Sequence, residues 1–141
     1  MHQIIPTLIT ILTLSSLSIP AVTMANTTPK QLETQLAQRL NCDNAQTQRE
    51  ITQCADLSFK NADKKLNQVY KQLLPKLPKS RQQKLITAQQ AWLKFRDRNC
   101  EFVSSEYEGG TLAPSIYAGC LEQVTKQRTQ QLQEYIQETL K

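Results

Sequence analysis

Beyond His2 this 141-residue sequence contains no histidine. That absence removes a histidine general base, Ser-His-Asp and Cys-His arrangements, and any His-ligated metal from the chemistry open to the rest of the chain. Glycine is nearly as scarce: there are three, and Gly109-Gly110 is the only pair. Formal charge of either sign is missing from Met1 to Ala25. No segment alternates apolar and polar residues as a half-buried strand would, and there is no internal repeat or low-complexity tract. The four cysteines include no C-x2-C pair, which argues against a four-thiolate zinc site.

What is present begins with a leader. Ile4 to Val22 is almost wholly Ile, Leu, Thr, Ser and Pro, and Thr23-Met24-Ala25 is a small-x-small cleavage signal. Residues 1–25 are therefore expected to be a signal peptide and 26–141 a single domain. The alternative is an uncleaved anchor, since the run approaches spanning length. Pro6, Pro20 and the many Thr and Ser dilute it and favour cleavage, leaving no stable membrane anchor. No cysteine follows Ala25 directly, so a lipid anchor is not indicated. The expected location is periplasmic or secreted.

Cys42, Cys54, Cys100 and Cys120 all follow the leader. An even cysteine count in a short exported chain points to a disulfide framework, and paired cysteines leave no thiolate nucleophile. Four cysteines allow three pairings, and the sequence alone does not choose among them. Position favours Cys42–Cys54, which folds a loop onto a helix start, and Cys100–Cys120, which closes the base of the Gly109-Gly110 loop.

Helical periodicity dominates the remainder. Thr28-Pro29-Lys30-Gln31 reads as a helix start, and Leu32, Leu36 and Leu40 give a short front helix. Thr47-Gln48-Arg49-Glu50 is a capping box. It opens a long helix with Ile51, Ala55, Phe59, Ala62, Leu66, Val69 and Leu73 at steps of four and three, ended by Pro75 and Pro78. Ser80-Arg81-Gln82-Gln83 predicts a second box. Leu85, Ala88, Trp92, Phe95, Asn99 and Phe102 then predict a helix to about Val103. Glu106 to Pro114 is a loop, and a last helix is expected from about Ser115 to the C-terminus. The fold expected is all-α: a small disulfide-stapled bundle of three main helices plus a short N-terminal helix.

Charge is unevenly placed. Lys76 to Cys100 carries seven bases against one acid, a balance of +6, whereas Glu101 to Glu122 carries four acids and no base. This is a dipolar surface and not a nucleic-acid footprint, which would also be out of place in an exported chain. Two arginines fall on apolar faces: Arg96 beside Gln89, Trp92 and Asn99, and Arg128 within the Leu121-Val124-Leu132 stripe. Asp63, Asn67 and Tyr70 follow at helical spacing on the first long helix. An arginine there must reach water or meet acceptors. The favoured reading is a structural polar network of Asp63, Asn67, Tyr70, Gln89, Arg96 and Arg128; the alternative is a recognition or catalytic pocket.

The run Leu85-x-x-Ala88-Gln89-x-Ala91-Trp92-Leu93-x-Phe95-Arg96-Asp97-x-x-Cys100 resembles the LprI-like lysozyme-inhibitor domain family of small exported bacterial proteins. The resemblance extends upstream through Cys42, Cys54, Ala62-Asp63-x-x-Leu66-Asn67-x-x-Tyr70. Downstream it takes in Gly109-Gly110-Thr111, Cys120-Leu121 and Thr125-x-x-Arg128. It implies a helical, disulfide-containing, non-enzymatic domain without cofactor or metal, and lysozyme or another cell-wall hydrolase as partner. The chain departs from the family's lipoprotein namesake in lacking a lipid-anchoring cysteine.

A cationic animal-type lysozyme would be repelled at long range by a chain of net charge +5. Screening beyond about 8 Å leaves room for a local acidic patch. The candidate patch is Glu101, Glu106, Tyr107, Glu108, Gly109 and Gly110, although Glu101 can instead pair with Arg98. Two other readings compete: an envelope protein binding anionic material through the Lys76 to Arg98 stripe, and an enzyme using Asp97 and Glu101. The last is disfavoured because solvated acids one turn apart are common.

Overall fold

The computed structural model describes residues 28–29 and 40–139. The short front helix expected between Thr28 and Leu40 lies outside those residues. Ahead of the bundle the chain makes one 3-10 turn, Cys42–Asn44. Three long helices follow: α1 (Gln48–Leu73), α2 (Lys79–Ser105) and α3 (Ala113–Thr139). There is no strand among the described residues, and the all-α bundle of three main helices is the observed fold.

The capping box forms at α1. The Glu50 N–H donates to Thr47 Oγ1 at 3.2 Å, and the Thr47 N–H donates to Glu50 Oε2 at 3.0 Å. The Thr47 N–H first, then the Thr47 hydroxyl and the Gln46 N–H, hold the Glu50 carboxyl below the usual carboxylate range. At the other end Pro75 sits in a 3-10 turn, Leu74–Lys76, and Pro78 is the residue that caps α2.

The second box does not form. Pro78, with φ −57° and ψ 150°, already stands at the helix start, and its carbonyl accepts from the Gln82 N–H at 2.9 Å. Ser80 is thereby carried inside the first turn, and Gln82 Nε2 reaches back to the Leu77 carbonyl at 2.8 Å instead.

Gln48 Nε2 donates to Ser115 Oγ at 3.0 Å, so α1 and α3 start side by side and run parallel. α2 returns between those starts and their ends, antiparallel to both. The core is an apolar cluster of Leu66, Val69, Leu73, Leu77, Leu85 and Leu132, with Tyr70, Leu74, Trp92 and Ile136 against it. Each fully buried leucine stabilises by roughly 1.5–3 kcal/mol. Nearer the helix starts the buried face of α3 is Ser115, Ala118, Leu121, Thr125 and Thr129. Small side chains there let α3 lie close against α1.

α2 is turned differently from the stripe read in the sequence. Its buried residues are Leu85, Arg96 and Cys100. Phe95 is 59 % and Phe102 78 % exposed, so neither is core. One residue along a helix is about 100° of rotation. Seating Arg96 and Cys100 inward therefore swings Phe95 and Phe102 out to the flank.

Candidate functional site

The disulfides join Cys42 to Cys54, with Cα atoms 5.7 Å apart, and Cys100 to Cys120, at 5.5 Å. The first folds the 3-10 turn onto α1. The second ties the end of α2 to the second turn of α3, so it roots the connecting loop. Each closes a short loop and contributes on the order of 3 kcal/mol by the chain-entropy account.

Arg96, the most buried charge, lies between two carboxylates. Its Nη1 is 3.2 Å from Asp63 Oδ1, and its Nε donates to Asp97 Oδ1 at 2.9 Å. The guanidinium carbon lies 5.3 Å from the Phe59 ring centre and 5.4 Å from that of Trp92. Both contacts are within cation–π reach. Asn67 Nδ2 donates to Asp63 Oδ2 at 2.9 Å and orients that carboxylate. Asp63 and Asp97 sit at the rim, their side chains 38 % and 47 % exposed.

Arg128 also lies over Trp92, 6.0 Å from its ring centre. Its Nε donates to Gln89 Oε1 at 3.0 Å and its Nη1 to Gln131 Oε1 at 3.1 Å. The polar residues thus form two clusters, each with an arginine against Trp92. Tyr70 joins neither: it lends its ring to the apolar core. Asn99 donates to Cys120 Sγ at 3.7 Å. Phe59 and Asp97, which hold Arg96, were not among the network residues expected from sequence. Asp97 lay next to Arg96 in plain sight, but a neighbour in sequence normally points elsewhere on a helix.

The loop from Glu106 to Leu112 caps the end of the bundle where α1 and α3 begin. Gly109 there has φ +77°, a left-handed conformation that costs glycine little and other residues much. Gly110 donates its N–H to the Tyr107 carbonyl at 2.9 Å, closing the turn. Glu106 and Glu108 are exposed, and neither forms an ion pair among the described residues. Tyr107 is 38 % exposed and Leu112 46 %. Glu101 differs, because Arg98 Nη1 donates to its Oε2 at 2.7 Å. Asp97 and Glu101 are therefore each held by an arginine, Arg96 and Arg98 respectively.

The basic segment is likewise divided. Lys76, Lys79, Arg81, Lys84 and Lys94 are exposed and make no ion pair among the described residues, whereas Arg96 is buried and no part of that surface. Among those same residues, no helix is long and apolar enough to cross a membrane.

Comparison with known proteins places this architecture. The family described as lysozyme inhibitor LprI matches residues 41–132, which run from the first cysteine's neighbour to the core Leu132. An uncharacterized protein of Rhizobium meliloti (strain 1021), R02472, is 29 % identical over 110 residues, covering 69 % of this chain and 79 % of its own. No solved structure matches.

Proposed function

Because the chain belongs to the lysozyme inhibitor LprI family, we propose that it is an exported binding protein that inhibits a cell-wall muramidase. The family match carries this reading. Two disulfides suit an oxidising compartment, consistent with export directed by residues 1–25 as a signal peptide. The inhibitory surface proposed is the loop of Glu106, Tyr107 and Glu108, turned at Gly109-Gly110. It projects two unpaired carboxylates beside an exposed tyrosine from a base tied down by Cys100–Cys120. Aromatic side chains flanked by charge are frequent anchors of protein interfaces. A rigid root also lowers the ordering cost of binding. Glu101 takes a lesser part, since Arg98 neutralises it.

The test is muramidase turnover on cell-wall substrate, titrated with the oxidised protein, using animal-type and bacterial enzymes. Stoichiometric inhibition, lost in Glu106→Lys/Glu108→Lys, is the expected result. No inhibition at large molar excess rules the reading out.

A second reading draws on the unpaired bases Lys76, Lys79, Arg81, Lys84 and Lys94. They would bind anionic envelope material in a salt-sensitive way, and such binding without any effect on muramidases would favour this alternative.

A further inference from the structure

We propose that the protein self-associates through α2, as an antiparallel two-fold dimer centred near Phe95. Lys84, Ala88, Ala91, Phe95 and Phe102 share one flank of α2, and Glu106, the residue that caps it in helical conformation, continues the line, all within about 40° of Phe95 at about 100° per residue. All six are exposed, Phe95 and Phe102 to 59 % and 78 %. Two phenylalanines in line on a small exported protein form an apolar strip of the kind that marks an association site. The strip has bases, Arg81 and Lys84, at one end and Glu106 at the other, with the Arg98–Glu101 ion pair beside its middle.

That polarity selects the partner. A two-fold axis brings the same patch of both copies together, with each residue meeting its counterpart across the axis. With the axis at Phe95, the two Phe95 rings meet, and positions seven residues to either side face one another. Phe102 of one copy then lies against Ala88 of the other. There Gln83, Lys84, Thr87, Ala88 and Ala91 line a shallow depression that is mostly apolar. Eleven residues from the axis, Lys84 faces Glu106, and it does so twice by symmetry. A parallel arrangement would instead set Lys84 against Lys84 and Glu106 against Glu106, which is repulsive.

From Lys84 to Glu106 the strip is about 33 Å long. One helix face of that length is a small interface, so the association is weak and reversible. The arrangement would place the two Gly109-Gly110 loops at opposite ends of the assembly. The inference does not depend on muramidase inhibition, since it is read on the protein alone.

Analytical ultracentrifugation of the oxidised protein, produced by export from the full chain, tests it from about 1 μM to about 1 mM. A concentration-dependent dimer is expected. Phe102→Asp should leave a monomer with unchanged helical circular dichroism, because that ring is exposed already. Lys84→Glu should weaken association about 10-fold or more, and Lys84→Glu/Glu106→Lys should restore it. A monomer at every concentration overturns the proposal. So does a dimer indifferent to both Phe102→Asp and Lys84→Glu, which would use another face.

Discussion

Where α1 meets α3, the contact is made by Ala62, Leu66 and Val69 on one side and Ala118, Leu121, Thr125, Thr129 and Leu132 on the other. Where α2 joins that pair, the contact is Leu85 and the half-buried Trp92, then two arginines, two aspartates, a glutamine and a disulfide. The first seam is dry and closely approached. The second is polar, directional and cross-linked. Apolar packing tolerates small shifts, whereas an arginine held by named acceptors and a disulfide each permit one rotation of the helix. The bundle thus uses burial to bring α1 and α3 together and specific bonds to orient α2.

Truncating the dry seam should have the largest effect. Leu66→Ala or Leu132→Ala is expected to cost about 2–5 kcal/mol, since each is fully buried and leaves a cavity between close-packed helices. Chemical denaturation measures it, and a cost below about 1 kcal/mol would mean the seam collapses freely and is not close-packed. Next comes Cys100→Ser/Cys120→Ser, at about 3 kcal/mol. Hydrogen exchange should rise in the last turns of α2 and the first turns of α3 before it rises in α1, because the lost tether joins those two helices. Equal exchange across all three helices would erase the distinction between the regions.

Arg96→Met should follow at about 1–3 kcal/mol. It removes two ring contacts and leaves Asp63 and Asp97 facing one another, although both can draw on water at the rim. Unchanged thermal stability would show that the cluster does not hold α2 in place. A smaller effect of opposite sign belongs to Thr125. Its hydroxyl is fully buried and is the one buried side-chain oxygen among the described residues with no hydrogen-bond partner. Thr125→Val keeps the shape and removes that polar group, so a gain of up to about 1 kcal/mol is expected from thermal melts. A loss would show that the hydroxyl is satisfied.

The smallest effect is on the pH dependence at the start of α1. The folded Glu50 carboxyl lies below its ordinary value of 4.5, so its contribution is complete above that value. It is lost as pH falls through the folded value. Glu50→Gln should flatten this part of the stability curve, and an unaltered acid limb would remove the capping box from the account.

Periodicity and breakers made most of the backbone legible. The stretch from Gln48 to Leu73 repeats its apolar residues over six steps and has a cap at one end and prolines beyond the other. Arg96 and Asp63 were legible for a different reason, as charges placed where only a partner could tolerate them. Phe95 and Phe102 were misleading, because helical spacing beside Trp92 fits them into a core stripe as well as Arg96 and Cys100. Thr125 and Thr129 gave no sign of burial: a threonine on a helix is as often solvated as buried. The acidic loop could be located from Gly109-Gly110, and the Arg98–Glu101 pair from its three-residue spacing along a helix.

The sequence by itself determined, to within a few residues, where the three long helices start and stop, that the fold is all-α, and that its charge is divided between a basic stretch and an acidic one. These are local properties, set by caps, prolines, glycines and the 3.6-residue period. The tertiary structure alone decided which side of α2 faces inward. A helix with apolar residues on adjoining faces has two comparable stripes. The choice between them falls to groups far away in sequence: Asp63, Arg128 and Cys120.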